Sequence, residues 1–287
     1  MPISGLTGEN LKEKVSKTVC PWYDGPTLIE ALDGLVVEKR NPSGPVRIPV
    51  LDKMRDQGVV AHGKIESGTV TVGDKIMLFP SGLPAQVGSI MDHKNALVKF
   101  ARPGENVQIN LIHISDENMI NKGDVICNRE SPVPVTMLFE AELDLLELLE
   151  YKPIITKGYT CVMHCHTIGE DIVIKDILVA TEKDLAGTFI TKESPKYIKS
   201  NAKATVRITT RVPVAIEKYE TIPQLGRFTL RDEGKTIAVG RILRYKPHKV
   251  EASIVVAGGP KPSEEAKQAT ADKNAALVFD METGATT

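Results

Sequence analysis

Three stretches of this chain carry residue types at spacings that could do chemistry. The first is Gly234-Lys235-Thr236, the triplet that closes a phosphate-cradling loop. Such a loop needs another glycine five residues before Gly234, and Thr229 stands there. The loop must also open a helix, whereas Thr236-Ile237-Ala238-Val239 favours a strand. The second is Cys161-Val162-Met163-His164-Cys165-His166, dense enough in thiols and imidazoles to suggest zinc. Strand alternation divides it: Cys161, Met163 and Cys165 take one face and Val162, His164 and His166 the other, the histidines on an exposed face. Four tetrahedral ligands cannot converge from this strand alone, and Cys20 and Cys127 fall in other domains, so buried thiols are expected and no metal.

The third stretch is basic. Lys192, Lys196, Lys199, Lys203, Arg207 and Arg211 are opposed locally only by Glu193. In a strand beginning near Lys203, the residues Lys203, Thr205, Arg207, Thr209 and Arg211 share one face, and Ala204, Val206 and Ile208 the other. A row of cations beside hydroxyls suits phosphate, so RNA or an acidic partner is one reading and a solvated strand face the other. No Gly-x-Ser-x-Gly elbow is present, and no acid, base and nucleophile can be placed together; no catalytic residue is assigned.

These stretches need rigid strands to hold them. The chain has 287 residues with 41% hydrophobic and 25% charged residues and a formal net charge of −1, values of an ordinary globular protein with no bulk pull toward nucleic acid. No apolar run approaches a membrane span, the start lacks a secretory signal, and four cysteines do not make a disulfide scaffold. A cytoplasmic, membrane-free monomer is expected.

Residues 1–40 read as helical: a short helix over Asn10–Val15, then one with Pro26 in its first turn and Leu28, Ile29, Leu32 and Leu35 on one face. They look like the end of a domain whose body is missing. From about Pro42 the period changes to two. Val46, Ile48 and Val50 alternate, Ser67-Gly68 separates two β-rich runs as in a hairpin, Lys75–Phe79 follows, and Pro103-Gly104-Glu105-Asn106 opens a strand to Ile112. Ser131-Pro132-Val133-Pro134 reads as a linker. A second β-rich block begins at Val135, with Met137, Phe139, Ala141 and Leu143 facing a core and Glu140, Glu142 and Asp144 facing water. Further strands fit Tyr159–His166, Lys203–Ile216 and Gly226–Tyr245. The fold class is therefore all-β: two consecutive small closed β-barrels, over 41–130 and 131–249, after a helical segment 1–40. Residues 250–287 read as a disordered tail.

Within Gly226–Asp232, period two places Phe228 and Leu230 on one face and Arg227, Thr229 and Arg231 outward, with Asp232 placed to hold Arg231. An exposed Arg-Thr-Arg row on a rigid hairpin is a good recognition surface, because arginine is favoured at interface hot spots.

The wording of that hairpin, Gly226-Arg227-Phe228-Thr229-Leu230-Arg231-Asp232-Glu233-Gly234-Lys235-Thr236-Ile237-Ala238, resembles the GTP-binding subunits of eukaryotic peptide-chain release factors, within the translational GTPases. Ile3-Ser4-Gly5-Leu6-Thr7-Gly8 resembles the last guanine motif of that family's GTPase domain, with Ser4 and Gly5 at the base-contacting position, and Cys20–Leu28 its closing helix. Ile48–Lys53, Gly63–Gly68 and Pro103–Val107 resemble its second domain, and Gly158-Tyr159 and Cys161–Thr167 its third. The resemblance covers about Ile3 to Lys249. It implies translation-factor domains 2 and 3 and a role in translation termination. The third domain would dock the stop-codon-reading class I release factor through Gly226, Arg227, Phe228, Thr229, Leu230, Arg231 and Asp232. The second would approach the ribosome; the local basic patch of Lys203, Arg207 and Arg211, read from its charge pattern, is the candidate contact for rRNA or an acidic partner. The P-loop and the other main nucleotide motifs would lie before residue 1, so this chain is expected to bind no cofactor and hydrolyse nothing, GTP and magnesium belonging to full-length members. The alternative is the two-barrel part of elongation factor one-alpha or of a ribosome-rescue GTPase, binding tRNA or a rescue factor.

Overall fold

The computed structural model describes residues 1–35, 40–56, 58–114, 116–183 and 189–248; the tail expected over 250–287 lies outside them. Two compact units are formed, Met1–Arg40 and a second beginning at Asn41. In the first, helix α1 spans Leu28–Asp33. Thr27 caps it, accepting from the Glu30 amide at 3.2 Å while the Glu30 carboxylate accepts from the Thr27 amide at 3.0 Å, a reciprocal box that satisfies two orphan donors. Pro26 therefore sits just outside the helix. The helix expected over Asn10–Val15 is replaced by turns and bends. Asn10 adopts φ 57°, its amide nitrogen donates to the Pro2 carbonyl at 2.7 Å and its side-chain oxygen accepts from the Val15 amide at 3.4 Å. Such local side-chain bonds offer the backbone an alternative to helix.

The second unit contains two closed six-stranded antiparallel barrels. Barrel one comprises β1 (Ile48–Asp56), β2 (Gly58–Lys64), β3 (Lys75–Phe79), β4 (Leu83–Met91), β5 (Asn106–Ile112) and β6 (Val125–Asn128). Around the ring they run β3-β6-β1-β2-β5-β4 and back to β3. Barrel two comprises β7 (Val135–Leu145), β8 (Thr160–Cys165), β9 (Ile168–Lys183), β10 (Lys203–Ala215), β11 (Arg227–Asp232) and β12 (Lys235–Pro247). Its ring is β8-β11-β12-β7-β10-β9 and back to β8. Closure removes the bare sheet edges that would otherwise recruit other chains. Inside, alternate residues fill the core: Ile48, Leu78, Ile90 and Ile109 in barrel one, Phe139, Leu143, Met163 and Ile208 in barrel two.

Ser67-Gly68 does not join a two-stranded hairpin. The short strand Val70–Thr71 that follows pairs instead with Phe100–Ala101. Glu140, expected in water, is 3% exposed, because the guanidinium groups of Arg207 and Arg244 lie over it.

The barrels are joined at a small buried cluster of Val125, Cys127, Val133, Ala215, Ile222 and Leu225. Beside it Arg47 of barrel one, 3% exposed, donates to the Glu217 carboxylate of barrel two at 2.9 Å and to the linker carbonyls of Ser131 at 2.8 Å and Pro132 at 3.4 Å. Burial pushes the Glu217 carboxyl up, while the Arg47 charge opposes this. A guanidinium fork suits a carboxylate and two carbonyls at once, so the linker and both barrels are held at one point.

Candidate partner-binding site

The hairpin β11–β12 forms because Glu233 and Gly234 both adopt left-handed φ, 48° and 81°. A two-residue turn with both centres left-handed matches the right-handed twist of its strands, and glycine carries it without Cβ strain. Gly234-Lys235-Thr236 is thus a turn running into a strand, not the mouth of a helix. Side chains alternate along β11: Phe228 and Leu230 are buried, Arg227 and Arg231 are exposed, and Thr229 is half-buried between them. Phe228 meets Phe139 edge-on at 6.0 Å between ring centroids. Gly240 lies opposite it in register, and a Cβ there would fall 2.3 Å from Phe228 Cζ. The aromatic ring fills the space that glycine leaves.

Four of the seven residues assigned to this surface therefore work from inside. Phe228 and Leu230 are core. Gly226 is buried at the end of the single helical turn α2 (Pro223–Gly226), where a Cβ would fall 2.4 Å from Tyr219 Cα. Asp232 does not hold Arg231. It turns inward at the barrel end, 8% exposed, accepting from the Tyr159 hydroxyl at 2.6 Å and the Lys152 ammonium at 3.0 Å. Burial, and then the bond to Asp232, push the Tyr159 phenol above its ordinary value. Arg231 instead donates to the Gly234 carbonyl at 2.7 Å, which pins it to its own turn.

The outward row Arg227-Thr229-Arg231 has neighbours from β8 and β12. Val162 and Thr236 flank Arg231, His164 and Val239 flank Thr229, and Arg241 lies opposite Arg227. None of these is a carboxylate. Arg241 is already engaged by Glu142 at 2.6 Å. Among the described residues neither Arg227 nor Arg231 makes an ion pair. A shallow groove of about 290 Å³ opens beside Arg227, lined also by Glu142, Asp144, Lys203, Tyr219 and Val239.

The second assigned row, Lys203, Arg207 and Arg211, does share one face of β10, as alternation requires. Its electrostatics differ from the sequence reading. Asp144 on β7 holds Lys203 at 3.2 Å, Glu140 on β7 holds Arg207 at 2.8 Å with Asp176 on β9 at 3.5 Å, and Asp171 on β9 holds Arg211 at 3.4 Å. The opposing charges come from neighbouring strands, not from the local sequence.

The Cys-His stretch also divides as alternation requires, with Cys161, Met163 and Cys165 inward and His164 exposed. Burial pushes the thiols of Cys161 and Cys165 up to about 12, so both are protonated. His166 departs from its expected exposed face. It sits in the β8–β9 turn at φ 40°, its Nε2 3.0 Å from the Ala215 carbonyl. Burial lowers its imidazole to about 4, so the neutral ring donates that bond. Among the described residues no three His, Cys, Asp or Glu side chains gather as metal ligands. Ser4 and Gly5 lie in a turn closed on itself, the Ser4 hydroxyl accepting from Thr7 Oγ1 at 2.7 Å. Among the described residues no helix is long and apolar enough to cross a membrane.

Residues 58–127 match the Elongation factor Tu domain 2 family and residues 139–243 the GTP-eEF1A C-terminal domain-like family. Eukaryotic peptide chain release factor GTP-binding subunits from Kluyveromyces lactis and Ogataea pini are each 38% identical over 244 residues, 85% of this chain, which corresponds to 34% and 32% of those proteins. The crystal structure of sup35 complexed with GDP superposes with a TM-score of 0.65 at 33% identity, over 85% of this chain and 58% of that one. The chain thus spans about a third of the length of the curated relatives it matches. Over its two barrels the chain is homologous to eukaryotic release-factor GTP-binding subunits, and it carries the Elongation factor Tu domain 2 and GTP-eEF1A C-terminal domain-like domains.

Proposed function

We propose that this chain is a non-catalytic binding module of translation termination, acting in the cytoplasm. Barrel two docks a class I release factor through Arg227, Thr229 and Arg231, and barrel one faces the ribosome. The module needs neither GTP nor magnesium for that docking. The observation that carries the reading is the pair of unneutralised guanidinium groups on β11, held on a hairpin whose strands, turn and buried Phe228 leave it little freedom. A partner carboxylate can reach either arginine without first displacing one from this chain. Gly226, Phe228, Leu230 and Asp232 then contribute by fixing the row, not by touching the partner.

Calorimetric titration of the 287-residue chain with a class I release factor, without nucleotide, tests this. Arg227→Glu or Arg231→Glu should each weaken binding by about 30-fold, the loss of one hot-spot residue, and Lys203→Glu should change it little. No binding by folded protein, or charge reversals that titrate like the parent, would sink the reading. The match of barrel two to the GTP-eEF1A C-terminal domain-like family supports one other reading, a surface for tRNA. Saturable aminoacyl-tRNA binding without release-factor binding would select it.

A further inference from the structure

A second surface lies on barrel two, built by strands other than those of the β11 row. The short strands Ile154–Thr156 and Tyr197–Lys199 pair antiparallel, outside the six-stranded ring. Ile155 and Ile198 face each other across the ribbon and are both fully buried. Alternation sends the other four side chains outward together, with Ile154 opposite Lys199 and Thr156 opposite Tyr197. Tyr197 is a large, partly exposed ring at 46% exposure. The Lys199 ammonium stands 5.9 Å from that ring's centroid. Lys157 and Lys196, both exposed, continue the two strands at the Thr156–Tyr197 end. Lys157 is held by Asp176 at 2.9 Å; among the described residues Lys196 and Lys199 make no ion pair. Exposed Glu193, three residues before Lys196, is the nearest carboxylate in that segment of sequence.

We propose that this ribbon binds single-stranded RNA, with Tyr197 stacking on a base and Lys199 and Lys196 contacting the phosphates on either side. Three features favour RNA over a protein. The cations are lysines, which are depleted in the cores of protein–protein interfaces, whereas aromatic rings among cations are the usual platform for single strands. Tyr197 and Lys199 are two residues apart on one strand face, about 7 Å along the chain, so a ring and an ammonium meet successive parts of one strand. Ile155 and Ile198 anchor the ribbon in the core, so the platform is rigid before the ligand arrives. The surface does not depend on the β11 arginines, and the two sites can fail independently.

Fluorescence anisotropy of a 5′-labelled twelve-nucleotide oligouridylate, titrated with the full chain in 50 mM salt, provides the test. Binding is expected, with the logarithm of affinity falling against the logarithm of salt at a slope of about −1.4 for two phosphate contacts. Tyr197→Ala should lose about tenfold, within the range for one stacked base, and Tyr197→Phe should retain affinity because stacking needs the ring and not the hydroxyl. Lys199→Glu should lose at least as much as Tyr197→Ala. Arg227→Glu and Arg231→Glu should leave RNA binding unchanged, which separates this surface from the proposed protein dock. The idea is overturned if the folded chain does not bind the RNA. It is also overturned if Tyr197→Ala binds like the parent, or if polyaspartate competes as well as RNA does. That last outcome would make the ribbon a site for acidic protein segments instead.

Discussion

Barrel two carries two rows of outward cations written in nearly the same way. On β10 the row reads Lys203-Thr205-Arg207-Thr209-Arg211, and on β11 it reads Arg227-Thr229-Arg231. Both use alternation to put cations outward and apolar side chains inward. They differ in their neighbours. β10 lies between β7 and β9, whose facing residues include Glu140, Asp144, Asp171 and Asp176. β11 lies between β8 and β12, which place Val162, His164, Val239 and Arg241 alongside it. The first row is spent within the molecule and the second is open to another. Whether a cation is available is therefore a property of strand order, which sets the cross-strand pairs, more than of the residues beside it in sequence.

What holds each row also differs, and the largest expected effect follows from that. The β11 row depends on packing beneath it, where Phe228 occupies the space opposite Gly240. Gly240→Ala would drive a methyl into that ring and into Leu143, whose Cδ2 would lie 2.8 Å from the new Cβ. Overpacking of this kind should cost about 3 kcal/mol, read from the midpoint of urea unfolding, and it should displace the hairpin and weaken the proposed class I release-factor docking with it. Unchanged stability would mean that Phe228 can swing aside and that the row is not set by the core.

The β10 row depends on ion pairs above the sheet. Glu140 has its carboxylate 4% exposed and covered by Arg207 and Arg244. Arg207→Ala leaves that carboxylate buried with one partner. The loss should be about 2 kcal/mol, below the full cost of stranding a buried charge because Arg244 remains. Arg231→Ala, by contrast, removes an exposed side chain bonded only to its own turn and should stay within about 0.5 kcal/mol of the parent. Equal effects of the two substitutions in urea titrations would erase the distinction between a structural and an available arginine.

Much of this was legible in the sequence, and the failures share a cause. Period two located β3 (Lys75–Phe79), the inward Phe228 and Leu230, and the outward rows, because one buried face forces alternation. It missed β9, the longest strand at 16 residues. Register shifts after Ile174 and Ile177 put buried residues at Ile172, Ile174, Ile177 and Ala180, a spacing that no longer alternates. The same strand supplies Asp171 and Asp176, so missing it also hid the neutralisation of Arg211 and part of that of Arg207. Glu140 was hidden for a related reason: its two arginines lie 67 and 104 residues away. The Asn10 segment failed through a side chain competing with its own helix, and His166 through a turn that draws it against Ala215. Local periodicity reports which face a side chain takes; it is silent on what the adjoining strand places beside it.

A substitution that should barely touch stability is the sharpest test of the comparison. If β10 differs from β11 only in having its cations occupied, removing the occupants should make β10 resemble β11. Asp144 and Asp171 are both well exposed, at 57%, and pair with Lys203 and Arg211 that are exposed in turn. Surface pairs of this kind contribute about 0.5 kcal/mol or less each, so the double variant Asp144→Asn, Asp171→Asn should unfold within about 1 kcal/mol of the parent. Asparagine keeps the shape and a hydrogen-bonding group, so little else changes at either position. The net charge, −1 in the parent, becomes +1 when two carboxylates are neutralised, but the gain is concentrated on one strand face. Elution from heparin should therefore move to higher salt. It should move further than for a control that neutralises two carboxylates elsewhere, such as Asp116→Asn with Glu117→Gln in barrel one, which reaches the same net charge. If both double variants elute together, only net charge counts, and the pairing of β10 has no bearing on what that face can bind.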